Sequence, residues 1–274
     1  MSSAEWDETL AERYRNFRYE FAEKTLAGRC VIVAGGTGGL GGALVALLAR
    51  EGAHVVAGFR ANRERALRLQ RAMAEQFSAS IELVEGDILD AAVRRAFLAA
   101  ADKVGGAFAG AAVFPGDPAR VSWEALNSES LAASFQSNYA GPIVLAKELG
   151  EALEKAGGGN LVLLATMQAV APFAGSLNYA APKAALVHAA RILAQQWNRV
   201  AVNVVAPGAT VAGMAESSVR SGKYDRFVAS GAIPRFGRPE DIARAVRFFL
   251  EPGVYTNGQV LMVDGGLTLR RDRG

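Results

Sequence analysis

From residue 28 onward, short and almost wholly apolar runs alternate with longer stretches in which apolar residues recur every three or four positions. The runs at 30–34, 54–58, 81–85, 107–114, 161–165, 200–206 and 259–263 have the length of strands, and most are rich in β-branched residues. Helices are predicted from about residue 39, and over 65–77, 91–101, 131–156 and 179–197. A strand that is apolar along its whole length must be covered on both faces, and strands separated by helices are joined by right-handed crossovers. The pattern predicts an α/β fold, a doubly wound parallel sheet of about seven strands with helices on both faces.

Two segments interrupt the alternation. Residues 122–130 and 209–237 are irregular, and the second carries the small, charged and flexible residues of a lid. Residues 1–27 differ again, being dense in charge and poor in glycine. There Trp6, Leu10, Tyr14, Phe17 and Phe21 are spaced so that they fall on one stripe of a helix. This amphipathic arm is expected to pack on the protein's own flank or on a partner subunit, and the spacing favours neither. With no repeat, low-complexity tract or linker, the expected organisation is a helical extension at 1–27 followed by one domain at 28–274.

At 274 residues and 51% hydrophobic content the chain can bury a substantial core. Its 30 basic and 27 acidic residues are interspersed. The one dense basic run, Arg270, Arg271 and Arg273, reads as a solvated tail, so neither nucleic acid nor a membrane is an expected partner. The single cysteine, Cys30, forbids an intrachain disulfide and sits in an apolar run, which points to a buried small hydrophobe in a reducing compartment. No stretch of ~18 apolar residues occurs and the N-terminus is polar and acidic, as in a soluble cytoplasmic protein. With His54 and His188 as the only histidines, no metal site is expected.

The segment GGTGGLGG, residues 35–42, stands where the first strand becomes a helix. Free backbone N–H groups and the helix dipole favour a phosphate there, and glycine lets the phosphate approach. The spacing of Gly35, Gly39 and Gly41 resembles the T-G-x-x-x-G-x-G turn of the short-chain dehydrogenase/reductase family, with Ala34 where threonine is usual. The resemblance implies a Rossmann-like domain in which Gly35, Thr37, Gly39, Leu40 and Gly41 cradle a nicotinamide dinucleotide. At the end of the second strand, where a carboxylate selects NAD(H), the chain has Phe59 and Arg60, so NADP(H) is favoured over NAD(H). Asp87, with Ile88 beside it, either holds the adenine, as the family implies, or caps the next helix.

Tyr179 and Lys183 lie four apart, on one face of a predicted helix, where an ammonium would lower the tyrosine pKa for proton transfer. They resemble the Tyr-x-x-x-Lys element of the same family. Thr166 stands thirteen residues before Tyr179, where the family places its catalytic serine, and Asn138 falls at the family's relay asparagine. Pro207, Gly208 and Thr210 correspond to the loop that closes over nicotinamide. The family's Asn-Asn-Ala-Gly at the end of the fourth strand is matched to Ala109-Gly110-Ala111-Ala112, which lacks both amides and places Ala109 and Gly110 at the cofactor.

The resemblance covers residues 28–267 and implies an NADP(H)-dependent reductase, similar to the 3-oxoacyl-carrier-protein reductase and polyketide ketoreductase branch. It would act on a small-molecule ketone or the corresponding alcohol as a homodimer or homotetramer, paired through the helices at 131–156 and 179–197. Phe114, Met167, Phe173, Met214 and Phe227 suggest an apolar substrate pocket. The alternative is a catalytically weak dinucleotide-binding scaffold, which would have no need of Thr166, Tyr179 and Lys183 together.

Overall fold

The computed structural model describes residues 8–17, 21–213 and 216–270; Trp6, Met214, Arg271, Arg273 and the side chain of Leu10 lie outside them. Within each strand the side chains alternate between two covered faces. In β1 (Arg29–Ala34), Cys30, Ile32 and Ala34 enter one core cluster while Val31 and Val33 enter the other. The remaining strands are β2 (His54–Phe59), β3 (Ile81–Glu85), β4 (Ala107–Val113), β5 (Gly159–Leu164), β6 (Val200–Pro207) and β7 (Val260–Val263). They form one 7-stranded sheet in the order β3-β2-β1-β4-β5-β6-β7, with every neighbouring pair parallel.

Before β1 the chain forms α1 (Glu8–Asn16). One face of the sheet is covered by α2 (Gly39–Glu51), α3 (Arg63–Phe77) and α10 (Pro239–Phe249), which contribute Leu44, Leu48, Met73, Ile242 and Val246. The other is covered by α4 (Ala91–Val104), α6 (Gly141–Lys155) and α7 (Leu177–Leu193), through Phe97, Leu145, Leu149 and Leu186. The short helices are α5 (Ser128–Phe135), α8 (Glu216–Arg220), α9 (Asp225–Ala229) and α11 (Leu267–Arg270). A third cluster, including Met167, Val219, Tyr224, Phe227, Ile233 and Leu267, joins the segment after β6 to the loop after β5.

The chain runs outward from β1 through β2 to β3 and then returns to β4 on the other side of β1. Connections therefore leave the carboxyl ends of β1 and β4 in opposite directions, which opens the crevice where such sheets bind ligands.

Two expectations need correction. α1 ends at Asn16 and Phe17 takes a left-handed φ of 49°, so the helix does not carry the stripe on to Phe21; Tyr14, Phe17 and Phe21 are exposed. The long helix predicted over 131–156 is divided into α5 and α6 by a π turn, Gln136–Ala140. Pro142, which has no N–H to offer the Asn138 carbonyl four residues back, accompanies that widening.

Candidate active site

α2 starts at an N-cap glycine, Gly38, with no side-chain cap and no acid in its first turn. Its leading N–H groups are thus left to an anion, and in this respect the residues present fit a dinucleotide pyrophosphate. Gly35 takes φ +75°, and a Cβ there would meet Phe114 Cβ at 3.1 Å. A Cβ on Gly41 would stand 2.2 Å from the Gly35 carbonyl oxygen, so that glycine lets the helix cross the strand. Gly39 faces the loop after β6, where its Cβ would lie 2.7 Å from the Gly213 nitrogen. Thr37 is buried within the turn.

Gly35, Phe59, Arg60, Asp87 and Ile88 line one cavity together with Gly116. Arg60 approaches Asp87 at 3.9 Å and is largely exposed. Asp87 accepts from the Leu89 N–H at 2.9 Å, while the N-cap of α4 is Asp90, which accepts from Ala92. Of the two readings of Asp87 the helix cap falls to Asp90 instead, and Asp87 lines the cleft. Arg63 pairs with Glu85 instead of the cleft.

Leu40, Thr166, Tyr179, Pro207, Gly208 and Thr210 line a second cavity of about 160 Å³. Thr166 ends the strand edge as the N-cap of a short 3-10 turn, Met167–Ala169, and accepts from the Gln168 N–H at 3.3 Å. Its hydroxyl lines the same cavity as the Tyr179 phenol and favours the ionised form of that group. Thr210 donates to the Gly208 carbonyl at 3.1 Å, which fixes the loop.

Asn138 and Lys183 stand against Gly116, which lines the first cavity. Lys183 is 1% exposed and donates through Nζ to the Leu164 carbonyl at 2.9 Å. Burial alone brings its pKa down from 10.5 to about 8, so it remains mostly an ammonium at neutral pH. Burial pushes Tyr179 up to about 12, Thr166 opposes the rise and Tyr224 adds to it. The lowering by Lys183 that the one-turn separation predicts is not what governs this phenol; desolvation outweighs it.

The side chain of Asn138 is wholly buried. Its Oδ1 accepts from the Asp117 N–H at 3.0 Å and its Nδ2 donates to Ser134 Oγ at 3.2 Å. The same Ser134 hydroxyl donates to the Asn178 carbonyl, which Pro182, four residues on, has no N–H to satisfy. An Asn-Tyr-Ala-x-Pro pentad thus recurs at 138–142 and 178–182, and in both the proline leaves an asparagine carbonyl without its helical donor. That repeat is a signal in the sequence for the α5–α7 junction.

Ala109 and Gly110 are corrected. They lie in the middle of β4, and Ala109 lines a cavity with Arg29, Gly158 and Arg199 at the opposite end of the sheet. The strand runs on through Val113, and Phe114, Pro115 and Gly116 occupy the cofactor end. Pro115, which cannot extend a ladder, marks that end. Gly116 is the functional position missed, since a Cβ there would stand 2.7 Å from Asn138 Oδ1 and 3.2 Å from Lys183 Nζ.

The apolar pocket is also revised. Of the residues proposed for it, Met167 lines the cavity, Phe173 lines a neighbouring groove, and Phe114 and Phe227 are buried in core clusters. Arg120, Gln168, Ser176, Ser218, Lys223 and Tyr224 give the wall a polar character that the sequence does not advertise. Cys30 is wholly buried, its thiol pushed up to about 12, and His188 is exposed, so neither serves the site. Among the described residues there is no cluster of metal-ligating side chains, and no helix is long and apolar enough to cross a membrane.

A family model described as enoyl-(acyl carrier protein) reductase matches residues 34–268. An NADPH-dependent aldehyde reductase 2, chloroplastic, from Arabidopsis thaliana is 28% identical over 89% of this chain and 95% of its own length. The 3-oxoacyl-[acyl-carrier-protein] reductase FabG of Aggregatibacter actinomycetemcomitans is 27% identical over 86% of this chain and 98% of its own. Among solved structures, a short-chain type dehydrogenase/reductase from Mycobacterium ulcerans superposes with a TM-score of 0.83 at 23% identity, covering 89% of this chain and 91% of that one.

Proposed function

The chain belongs to the short-chain dehydrogenase/reductase family, and on that premise we propose that it is an NADP(H)-dependent reductase of ketones, including 3-oxoacyl-type carbonyls, that also runs the reverse alcohol oxidation. The observation that carries this reading is that Thr166 and Tyr179 line one cavity together, with the buried Lys183 one helical turn beyond the phenol. When bound, the nicotinamide supplies a hydride to the carbonyl carbon. Tyr179, held as a phenol at neutral pH by its burial, gives its proton to the carbonyl oxygen. Thr166 stabilises the charge that develops on that oxygen. Lys183 holds the nicotinamide ribose, and Asn138, buried beside Lys183 at the π turn, supports the proton relay.

Phosphate recognition falls to the start of α2, and Arg60 takes the 2′-phosphate that distinguishes NADP(H) from NAD(H). The NADPH-dependent relative named above supports that choice. Reduction of a C=C bond is the reading the family model's description suggests. The single-turn spacing of Tyr179 and Lys183 favours the carbonyl instead. The lone buried Cys30 fits a reducing, cytoplasmic setting, and the same reading includes a homodimer or homotetramer built on α6 and α7.

The experiment is turnover of NADPH and of NADH against a panel of ketones, aldehydes and enones. Ketone-dependent NADPH oxidation supports the reading. Tight cofactor binding without oxidation by any member of the panel favours a dinucleotide-binding scaffold.

A further inference from the structure

A closed ring of hydrogen bonds stands beside the candidate active site, and its members come from distant parts of the chain. The Asp117 N–H donates to Asn138 Oδ1 at 3.0 Å, and Asn138 Nδ2 donates to Ser134 Oγ at 3.2 Å. The Ser134 hydroxyl donates to the Asn178 carbonyl, and Asn178 Nδ2 donates to the Ala119 carbonyl at 3.1 Å. The Ala119 N–H returns to Asp117 Oδ1 at 2.7 Å. The ring thus joins the loop after β4, the end of α5 with its π turn, and the start of α7.

Backbone groups fix the direction of these bonds. A peptide N–H can only donate, so Asp117 sets Oδ1 of Asn138 toward the loop and leaves Nδ2 to Ser134. A carbonyl can only accept, so the single Ser134 proton goes to Asn178 and an oxygen lone pair is left for Asn138. Ser137, three residues on, shows what a helical serine does otherwise, donating to the Ala133 carbonyl of its own helix at 3.0 Å. Ser134 reaches across to α7 instead.

Both partners depend on that one hydroxyl. Pro182 denies the Asn178 carbonyl its usual donor four residues on, and Ser134 supplies one from another helix. Asn138, Ser134 and Asn178 are all buried, and the other acceptor near Asn138 Nδ2 is Ser137 Oγ at 3.5 Å, the limit of a hydrogen bond. Ala119 takes a left-handed φ of 47°, a conformation alanine rarely adopts, and the ring holds both its N–H and its carbonyl.

We infer that Ser134 is a positioning residue for the proposed reduction, its hydroxyl holding the Asn138 amide and the start of the Tyr179 helix in one register. It acts through Asn138, which stands against Lys183 at Gly116, and through Asn178, the residue before Tyr179. The inference rests on the reductase reading for what Asn138 and Tyr179 do, but the ring itself can be tested without turnover.

The test is a double-mutant cycle on the full chain, with Ser134→Ala made in wild type and in Pro182→Ala, where residue 182 regains an N–H for the Asn178 carbonyl. One readout is kcat and KM for a reducible ketone with NADPH. The other is solvent exchange of the Asn138 side-chain amide by NMR in protein carrying isotopically labelled asparagine, the signal identified by its loss in Asn138→Ser. A cooperative melting transition shows that each variant is folded, and where Ser134→Ala alone loses it, the pair in the Pro182→Ala background carries the comparison. Ser134→Ala is expected to speed exchange of that amide and to lower kcat about 10-fold or more with KM little changed, in both backgrounds. Unchanged kcat or unchanged exchange would overturn the proposal. So would an effect seen with Pro182 and absent with alanine there, because Ser134 would then serve only to satisfy a helix carbonyl. A wild type that reduces no ketone rejects the reductase reading, and the exchange readout then decides the ring by itself.

Discussion

Lys183 donates its ammonium to the Leu164 carbonyl at 2.9 Å in a site where the lysine is 1% exposed. Burial brings the lysine down to about 8. The unfolded chain holds this proton up to about 10.5, whereas the folded chain releases it near 8. Between those values the unfolded state binds more protons, so folding stability rises with pH, and below pH 8 the full cost of the buried charge is present. A chemical-denaturation series on wild type and Lys183→Met between pH 7 and pH 10 should show wild type gaining on the variant by on the order of 2–3 kcal/mol. Parallel curves would show that the lysine is not desolvated as described.

Gly116 is the place where Asn138 and Lys183 leave no room. A Cβ there would stand 2.7 Å from an Oδ1 already held by the Asp117 N–H, so neither side can yield without moving the loop. Gly116→Ala is expected to lower kcat about 10- to 100-fold while the fold and melting behaviour survive, as displacement of a positioned group does. Unchanged kcat in this variant would remove Asn138 and Lys183 from any shared geometry.

The raised phenol sets a pH dependence. With Tyr179 up at about 12, the proton needed for reduction is present throughout the neutral range, whereas oxidation of an alcohol needs the phenolate. Reduction should therefore be flat from about pH 6 to pH 7.5 and decline as Lys183 loses its charge near 8. Oxidation should climb with pH over the same interval by up to about tenfold per unit. Rate profiles in both directions check this, and a reduction rate that rises with pH would contradict it.

Arg60 approaches Asp87 at 3.9 Å across the cleft that Phe59 and Ile88 also line. If it holds a 2′-phosphate, fluorescence titration of Arg60→Ala should show NADPH affinity reduced about tenfold or more, at a cost of roughly 1.5–3 kcal/mol for a charge-assisted bond. NADH affinity should hardly change. Equal losses for both cofactors would mean that Arg60 steadies the cleft without discriminating.

Much of this architecture is legible in the chain because fully covered strands carry uninterrupted apolar runs, and all seven of those runs form the sheet. The glycine turn, Thr166, Tyr179 and Lys183 are local patterns and fall at strand ends and on one helix, where the spacing puts them. What periodicity hides is register at the end of a strand. The small residues at 109–112 imitate a strand terminus, yet the ladder continues to Val113 and stops only where Pro115 denies it a donor. The π turn at Asn138 is hidden for a similar reason, since Pro142 changes one hydrogen bond without disturbing the apolar stripe on either side. Arg120, Gln168 and Tyr224 come from three distant segments, and only folding places them on one cavity.

The central claim is that Tyr179 delivers the proton to a carbonyl oxygen. It is tested most directly by comparing NADPH oxidation by a reducible ketone in wild type and in Tyr179→Phe, with cofactor affinity measured on both. The account predicts that the variant binds NADPH as wild type does while kcat falls by about 10²–10⁴-fold. A variant that turns over ketone at the wild-type rate would contradict it.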